Sequence, residues 1–154
     1  MREIRKQPGY LARRLRQIAM AIQTEEYGIL GVTPLQFGVM LVIRKCPGID
    51  QVTLAGVLAH NEATIGGVVA RLSKRGLVVR ERSIEDKRSW VLYLTAEGRR
   101  VLDKLKRISK RAQNQILDPL TEPERKTFMK LLSKIVEGNE AASRSTVKLP
   151  DTSE

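Results

Sequence analysis

Aromatic residues make up only 4% of this 154-residue chain, which holds one cysteine, one histidine and one tryptophan. A lone cysteine closes no internal disulfide, so the fold is expected to rest on apolar packing in a reducing compartment, the cytoplasm. One histidine, with no Cys/His spacing suited to zinc, leaves no metal site to predict. There is no glycine-rich phosphate loop, and the acids mostly stand near Lys or Arg at helical spacing. No catalytic constellation emerges and no cofactor is expected. No apolar run approaches the length of a bilayer span, and the opening MREIRKQPGY lacks the apolar core of a secretion signal. The absences point away from an enzyme, a metalloprotein and a membrane protein.

What is abundant is positive charge. The formal net charge is +11 and the isoelectric point near 10.2, so the surface should attract polyanions. The charge is also unevenly placed. Residues 71–111 hold 14 of the 28 Lys and Arg against five acids, Glu81, Glu85, Asp86, Glu97 and Asp103. That quarter of the chain therefore carries about +9 of the +11, whereas a merely well-solvated surface would mix its signs. The apolar content of 42% is ample for one folded domain.

Hydrophobic periodicity divides the chain. A helix is expected over 10–27, with Leu11, Leu15, Ile18 and Ile22 on one face. Thr33–Pro34 reads as an N-cap followed by N1, opening a helix over 35–45 that is apolar nearly all round and so should lie between two layers. A short helix near 51–59, with Val52, Ala55 and Leu58 inward, turns tightly through His60–Asn61 into the next. In that next helix Ile65, Val68, Val69 and Leu72 share a stripe, Asn61 stands at the N-cap and Gly76 at C′. Two β-prone runs, 77–82 and 89–94, flank a polar tip at 83–87. Thr95 caps a long helix over 96–117 whose apolar face runs through Val101, Leu102, Leu105, Ile108, Ala112 and Ile116. Thr121–Glu124 has capping-box spacing, and its helix, to about Gly138, should bury Phe128, Leu131, Leu132 and Ile135. The polar tail 139–154 is expected to be disordered.

Two helices on a short turn, the second leading into a charged hairpin, describe a winged helix-turn-helix. The expected fold is mainly α with a small β-hairpin wing. The winged unit spans 33–95, and a helical dimerisation region comes from 1–32 and 96–138. The terminal helices have narrow apolar stripes that one small winged unit cannot cover, but a layer shared by two chains can. Such a dimer would set two readers roughly 34–36 Å apart, one turn of duplex.

The reader's outward face would carry Ala63, Gly67, Ala70 and Lys74, flanked by Thr64, Gly66 and Arg71. Each mid-helix glycine costs about 1 kcal/mol relative to alanine, which implies a constraint. One reading is a slim helix seated deep in the major groove; the other is close packing against a neighbouring helix. On the first, Thr64 and the Ala63 methyl meet base edges, while Asn61 and Arg71 hold phosphates or bases. Few polar groups on this face imply readout largely through DNA shape. Arg82, Lys87 and Arg88 cluster at the wing, where an Arg can enter an A·T-rich minor groove; otherwise they are a solvated loop tip. Arg80 reads as half of a structural ion pair.

In order and spacing these pieces resemble the MarR family of bacterial transcriptional regulators over about residues 10–135. The carriers are Val32-Thr33-Pro34-Leu35-Gln36-Phe37, Arg71-Leu72 with Lys74-Arg75-Gly76-Leu77-Val78, Asp86-Lys87-Arg88, and Leu94-Thr95-Ala96-Glu97-Gly98. The resemblance implies a homodimer on a pseudo-palindromic double-stranded operator, usually a repressor released by a small, often aromatic, anionic ligand. It gives Asp86 the part of orienting Arg88 or bracing the turn. It also implies an effector site between dimer layer and winged unit, with Tyr10, Arg14, Phe37 and Met40 as candidates; each reads equally as core or rim. Tyr27 and His60 are weaker candidates. Cys46, beside Pro47, reads as structural, whereas the peroxide-sensing members keep their cysteine in the first helix. Two departures stand out: Ser83 where such wings commonly carry an acid, and the glycine pair where polar side chains are common. From charge alone, aromatic acids or their CoA thioesters are conceivable effectors. The rivals are a sequence-indifferent architectural DNA protein and, less well supported by a charged hairpin, a module for acidic lipid.

Overall fold

A computed structural model describes residues 3–84 and 89–139. Helix α1 (Pro8–Gly28) begins two residues earlier than periodicity indicates, because Pro8 occupies the first turn, where its missing N–H is not needed. After the turn, Thr33 caps α2 (Pro34–Lys45) in a reciprocal box. Its hydroxyl accepts the Gln36 N–H at 3.2 Å, and the Gln36 side chain accepts the Thr33 N–H at 2.9 Å. That exchange explains how Gln36 is buried without an unsatisfied amide oxygen. Helix α2 is enclosed as its composition requires: Phe37, Val39, Met40, Val42 and Ile43 are all buried. Cys46, half-buried at its C-cap, packs against the core.

The chain turns at Gly48 (φ +82°) into a two-residue strand, β1 (Ile49–Asp50), that sequence periodicity does not reveal. Asp50 then caps α3 (Gln51–Val57), accepting the Thr53 N–H at 2.9 Å and its hydroxyl at 2.6 Å. Desolvation pushes the Asp50 carboxyl upward, but these hydrogen bonds outweigh it and hold the group below its usual range. On the inward face of α3, Ala55 and Leu58 stand as expected and Val52 does not. Leu54 and Ala55 are buried, while Val52 is 63% exposed. The stripe turned to the core is 51, 54, 55 and 58, and Val52 falls outside it. The helix also stops at Val57, two residues short of expectation, because Ala59 takes a left-handed conformation (φ 53°).

Helix α4 (Glu62–Lys74) follows, with Ile65, Val68, Val69 and Leu72 buried and Gly76 at φ +69° just past its end, as the sequence indicates. Strands β2 (Val78–Arg82) and β3 (Trp90–Leu94) form the hairpin in antiparallel register from Val78↔Leu94 to Arg82↔Trp90. The sheet order is β1-β3-β2, so β3 is central and the charged β2 is an edge.

Helix α5 (Ala96–Ile116) leaves the hairpin through a tight junction. The Thr95 hydroxyl donates to Gly76 O at 2.6 Å and accepts the Gly98 N–H at 2.9 Å, while Thr95 N–H reaches Leu77 O at 3.1 Å. Farther along, Leu102, Leu105 and Ala112 are buried, and α5 packs chiefly along α1. Tyr27, buried, donates its hydroxyl to Ser109 Oγ at 3.0 Å, and Arg111 pairs with Glu26. Helix α6 (Glu122–Gly138) is opened by Thr121, whose N–H and hydroxyl both donate to Glu124. Those bonds hold the Glu124 carboxyl below its ordinary value. The stripe of α6 is not buried as expected. Leu131 and Ile135 are exposed and Phe128 and Leu132 only half-buried, because no other element among the described residues covers this face. Among the described residues no helix is long and apolar enough to cross a membrane.

The junction before α5 generates a prediction. A Cβ on Gly98 would lie 2.0 Å from the Leu77 carbonyl oxygen, a backbone atom that cannot swing aside. Gly98→Ala should therefore destabilise the fold by about 3 kcal/mol, read as a lowered midpoint in urea denaturation.

Candidate nucleic-acid interface

Burial of the Ile65–Leu72 stripe leaves the other side of α4 in solvent. Asn61, Ala63, Thr64, Ala70, Arg71 and Lys74 are exposed, and Gly66 and Gly67 partly so. Asn61 commits its side-chain oxygen to the Thr64 N–H at 2.7 Å, so what remains for a phosphate or base edge is its NH2 group. The two glycines have different surroundings. A Cβ at Gly66 would meet the Gln51 amide nitrogen at 3.0 Å, which places this residue against α3 and accounts for its small size by packing. A Cβ at Gly67 would meet only the Arg71 guanidinium of its own helix, at 3.5 Å. Gly67 therefore stands beside Arg71 on the outer surface with space for a methyl group.

The cations near the reader are not equivalent. Arg80 donates to the Gln51 side chain, correcting the expected ion pair: its partner among the described residues is a neutral amide. Arg75 donates to the carbonyls of Leu30 and Gly31. Arg71 and Lys74 stay on the exposed face. In the wing, Arg82 stacks its guanidinium 4.1 Å from the centre of the Trp90 ring, directly across the hairpin. Sequence reasoning passed over Trp90. Its signal was available: the chain's single Trp stands half-exposed at a strand end opposite a predicted DNA-contacting Arg. Asp86, Lys87 and Arg88 lie outside the described residues.

The effector candidates do not converge within one chain. Phe37 and Met40 are core residues of α2, and the Phe37 ring lies 5.0 Å from that of Tyr27. Tyr10 lies 17 residues before Tyr27 on the same helix, about 25 Å along its axis. It packs beneath Arg13, and Arg14 donates to Gln17 at 3.1 Å in solvent. An open groove of about 500 Å³ runs along α5, lined by Arg107, Lys110, Arg111, Asn114, Gln115 and Asp118. His60 is exposed in the turn before α4. Among the described residues no group of three or more His, Cys, Asp or Glu side chains could hold a metal.

An exposed reader helix on a buried stripe, beside a cationic hairpin, defines a winged-helix DNA-binding protein. Comparison with known proteins specifies the class. The MarR family model matches residues 30–89. The transcriptional regulator HosA of Escherichia coli is 37% identical over 105 residues, covering 68% of this chain and 78% of that protein. The PcaV regulator of Streptomyces coelicolor, solved with its natural ligand, superposes with a TM-score of 0.73 at 33% identity, over 87% of this chain and 94% of PcaV. The repressor CouR, solved on a 23-mer DNA duplex, gives 0.80 at 28% identity, over 87% and 95%. The chain belongs to the MarR family and is a DNA-binding transcriptional regulator of that type.

Gly67 and Trp90 each supply an expectation. Gly67→Ala fits without strain and should raise stability by up to about 1 kcal/mol in thermal melts, yet weaken DNA binding by blocking close approach. Replacing Trp90 by Ala should likewise weaken DNA binding in gel-shift titrations while the melting curve stays nearly unchanged, since the ring is half-exposed.

Proposed function

We propose that the protein is a homodimeric repressor that binds a pseudo-palindromic operator and is released by a small aromatic or anionic effector. The observation that carries the reading is the pairing of a bare reader face with apolar stripes left uncovered among the described residues. Leu11 and Ile18 on α1, and Leu131 and Ile135 on α6, are all about half exposed or more. A second copy covering these stripes would join residues 1–32 and 96–138 of each chain into one helical layer, with residues 33–95 as the DNA-binding unit. In that reading Asn61, Ala63, Thr64, Gly67, Arg71 and Lys74 face the major groove, with Gly66 behind them. Arg82, Lys87 and Arg88 grip phosphate or the minor groove, and Asp86 braces the tip. PcaV, with its bound ligand, supports effector control. A site completed across the dimer would reconcile the separation of Tyr10 and Arg14 from Phe37 and Met40. The effector would act by favouring a dimer whose readers no longer match successive grooves.

Two measurements test the reading. Sedimentation at micromolar concentration should show dimers. Competition at roughly 0.15 M salt should show a preference of ~10³ or more for an operator over bulk DNA. Single chains, or equal affinity for all duplexes, would leave the architectural protein as the better account. In a thermal-shift screen of aromatic acids and their CoA esters, a true effector at a hundredfold its Kd should add about 2.7 kcal/mol and also release DNA.

A further inference from the structure

The reader helix is attached to the rest of the molecule by two kinds of contact. Its inner stripe packs on α2, α3 and β2 through branched aliphatic side chains, which resist separation but set direction weakly. At its far end stands a directional link to α1. Arg75, the C-cap residue of α4, donates from Nη1 to Gly31 O at 2.5 Å and from Nη2 to Leu30 O at 3.0 Å. These carbonyls lie 44 and 45 residues away, in the turn that closes α1. The turn is itself held. Leu30 N–H and Val32 N–H both bond to Tyr27 O, the Tyr27 hydroxyl is anchored on Ser109, and Glu26 pairs with Arg111. A continuous set of bonds thus runs from α5 through the end of α1 to the end of α4.

We infer that Arg75 is a positioning residue that sets the angle of the reader helix against α1, and that it is not a contact for DNA. Its planar fork matches two adjacent carbonyls, which a lysine, with one compact ammonium, does not reproduce. Two of its five N–H donors are held by the protein's own backbone, which fixes the guanidinium against the α1 turn. Lys74, one residue earlier, stays on the exposed face. The inference rests on the operator reading above, because an angle matters only where two readers must meet a spaced site. It adds to that reading the bond through which a shift of α1 would reach the DNA.

The test uses a duplex enriched by the wild-type protein from a randomised pool, with bulk genomic DNA as the non-specific competitor. Arg75→Ala and Arg75→Lys should each lose about tenfold or more in affinity for the enriched duplex. Affinity for bulk DNA, and the slope of log K against log salt, should stay at wild-type values. Lys74→Ala serves as the contrast, weakening both and lowering the slope by about one. A fold damaged by the substitution would reduce both affinities together, so the ratio separates positioning from stability; Arg75→Lys keeps the charge should the alanine variant unfold. Wild-type affinity for the enriched duplex in both variants, a full rescue by lysine, or a slope lowered as in Lys74→Ala would overturn the role of Arg75 alone. Failure of the wild type to enrich any sequence would overturn the operator reading and this inference with it.

Discussion

The four side chains Ile65, Val68, Val69 and Leu72 occur at spacings of three, one and three residues, and each is at most 2% exposed. Burying an aliphatic side chain of this size is worth roughly 1.5–3 kcal/mol before the opposing entropy is counted. With one side of α4 dry, its other side has no choice but to face water or a partner. Everything else in the winged unit supports that division. Helix α2 supplies the floor, α3 the shoulder, and the Thr95–Gly76 junction fixes where the hairpin emerges. Gly98 lets the first turn of α5 sit directly on the Leu77 carbonyl, which keeps the wing and the reader in one frame.

Much of this was legible in the chain, and the reasons differ by element. Helices α2, α4 and α5 have period and caps in agreement, and their bounds were read to within a residue or two. Strand β1 was not legible, since two residues show no alternation. It exists because β3 offers Leu92 and Val91 as backbone partners far along the chain. Val52 misled because a three-residue spacing fits more than one face of a short helix, and the face the core covers is the one that carries Leu54. Arg80 misled because charge predicts a charged partner, while proximity in the fold supplied the Gln51 amide.

The candidate site divides in the same way. That α4 has an outer face followed from its inner one. Which glycine answers to packing and which to the outer surface did not, because the distinction lies in α3, fifteen residues before Gly66. The charge count likewise overstates what is offered to a polyanion. Arg75 and Arg80 bind the protein itself, and Arg111 is neutralised by Glu26. The 28 Lys and Arg are therefore more than the cations available to DNA, and the slope of binding with salt should reflect fewer.

Trp90 is the chain's one indole, and it stands half-exposed in the wing with a guanidinium across its face. Ultraviolet emission from the whole molecule therefore originates mainly at the hairpin. A nearby base or a displaced Arg82 would change its intensity and wavelength. The molecule carries its own optical gauge of whether the wing is occupied, without any attached dye.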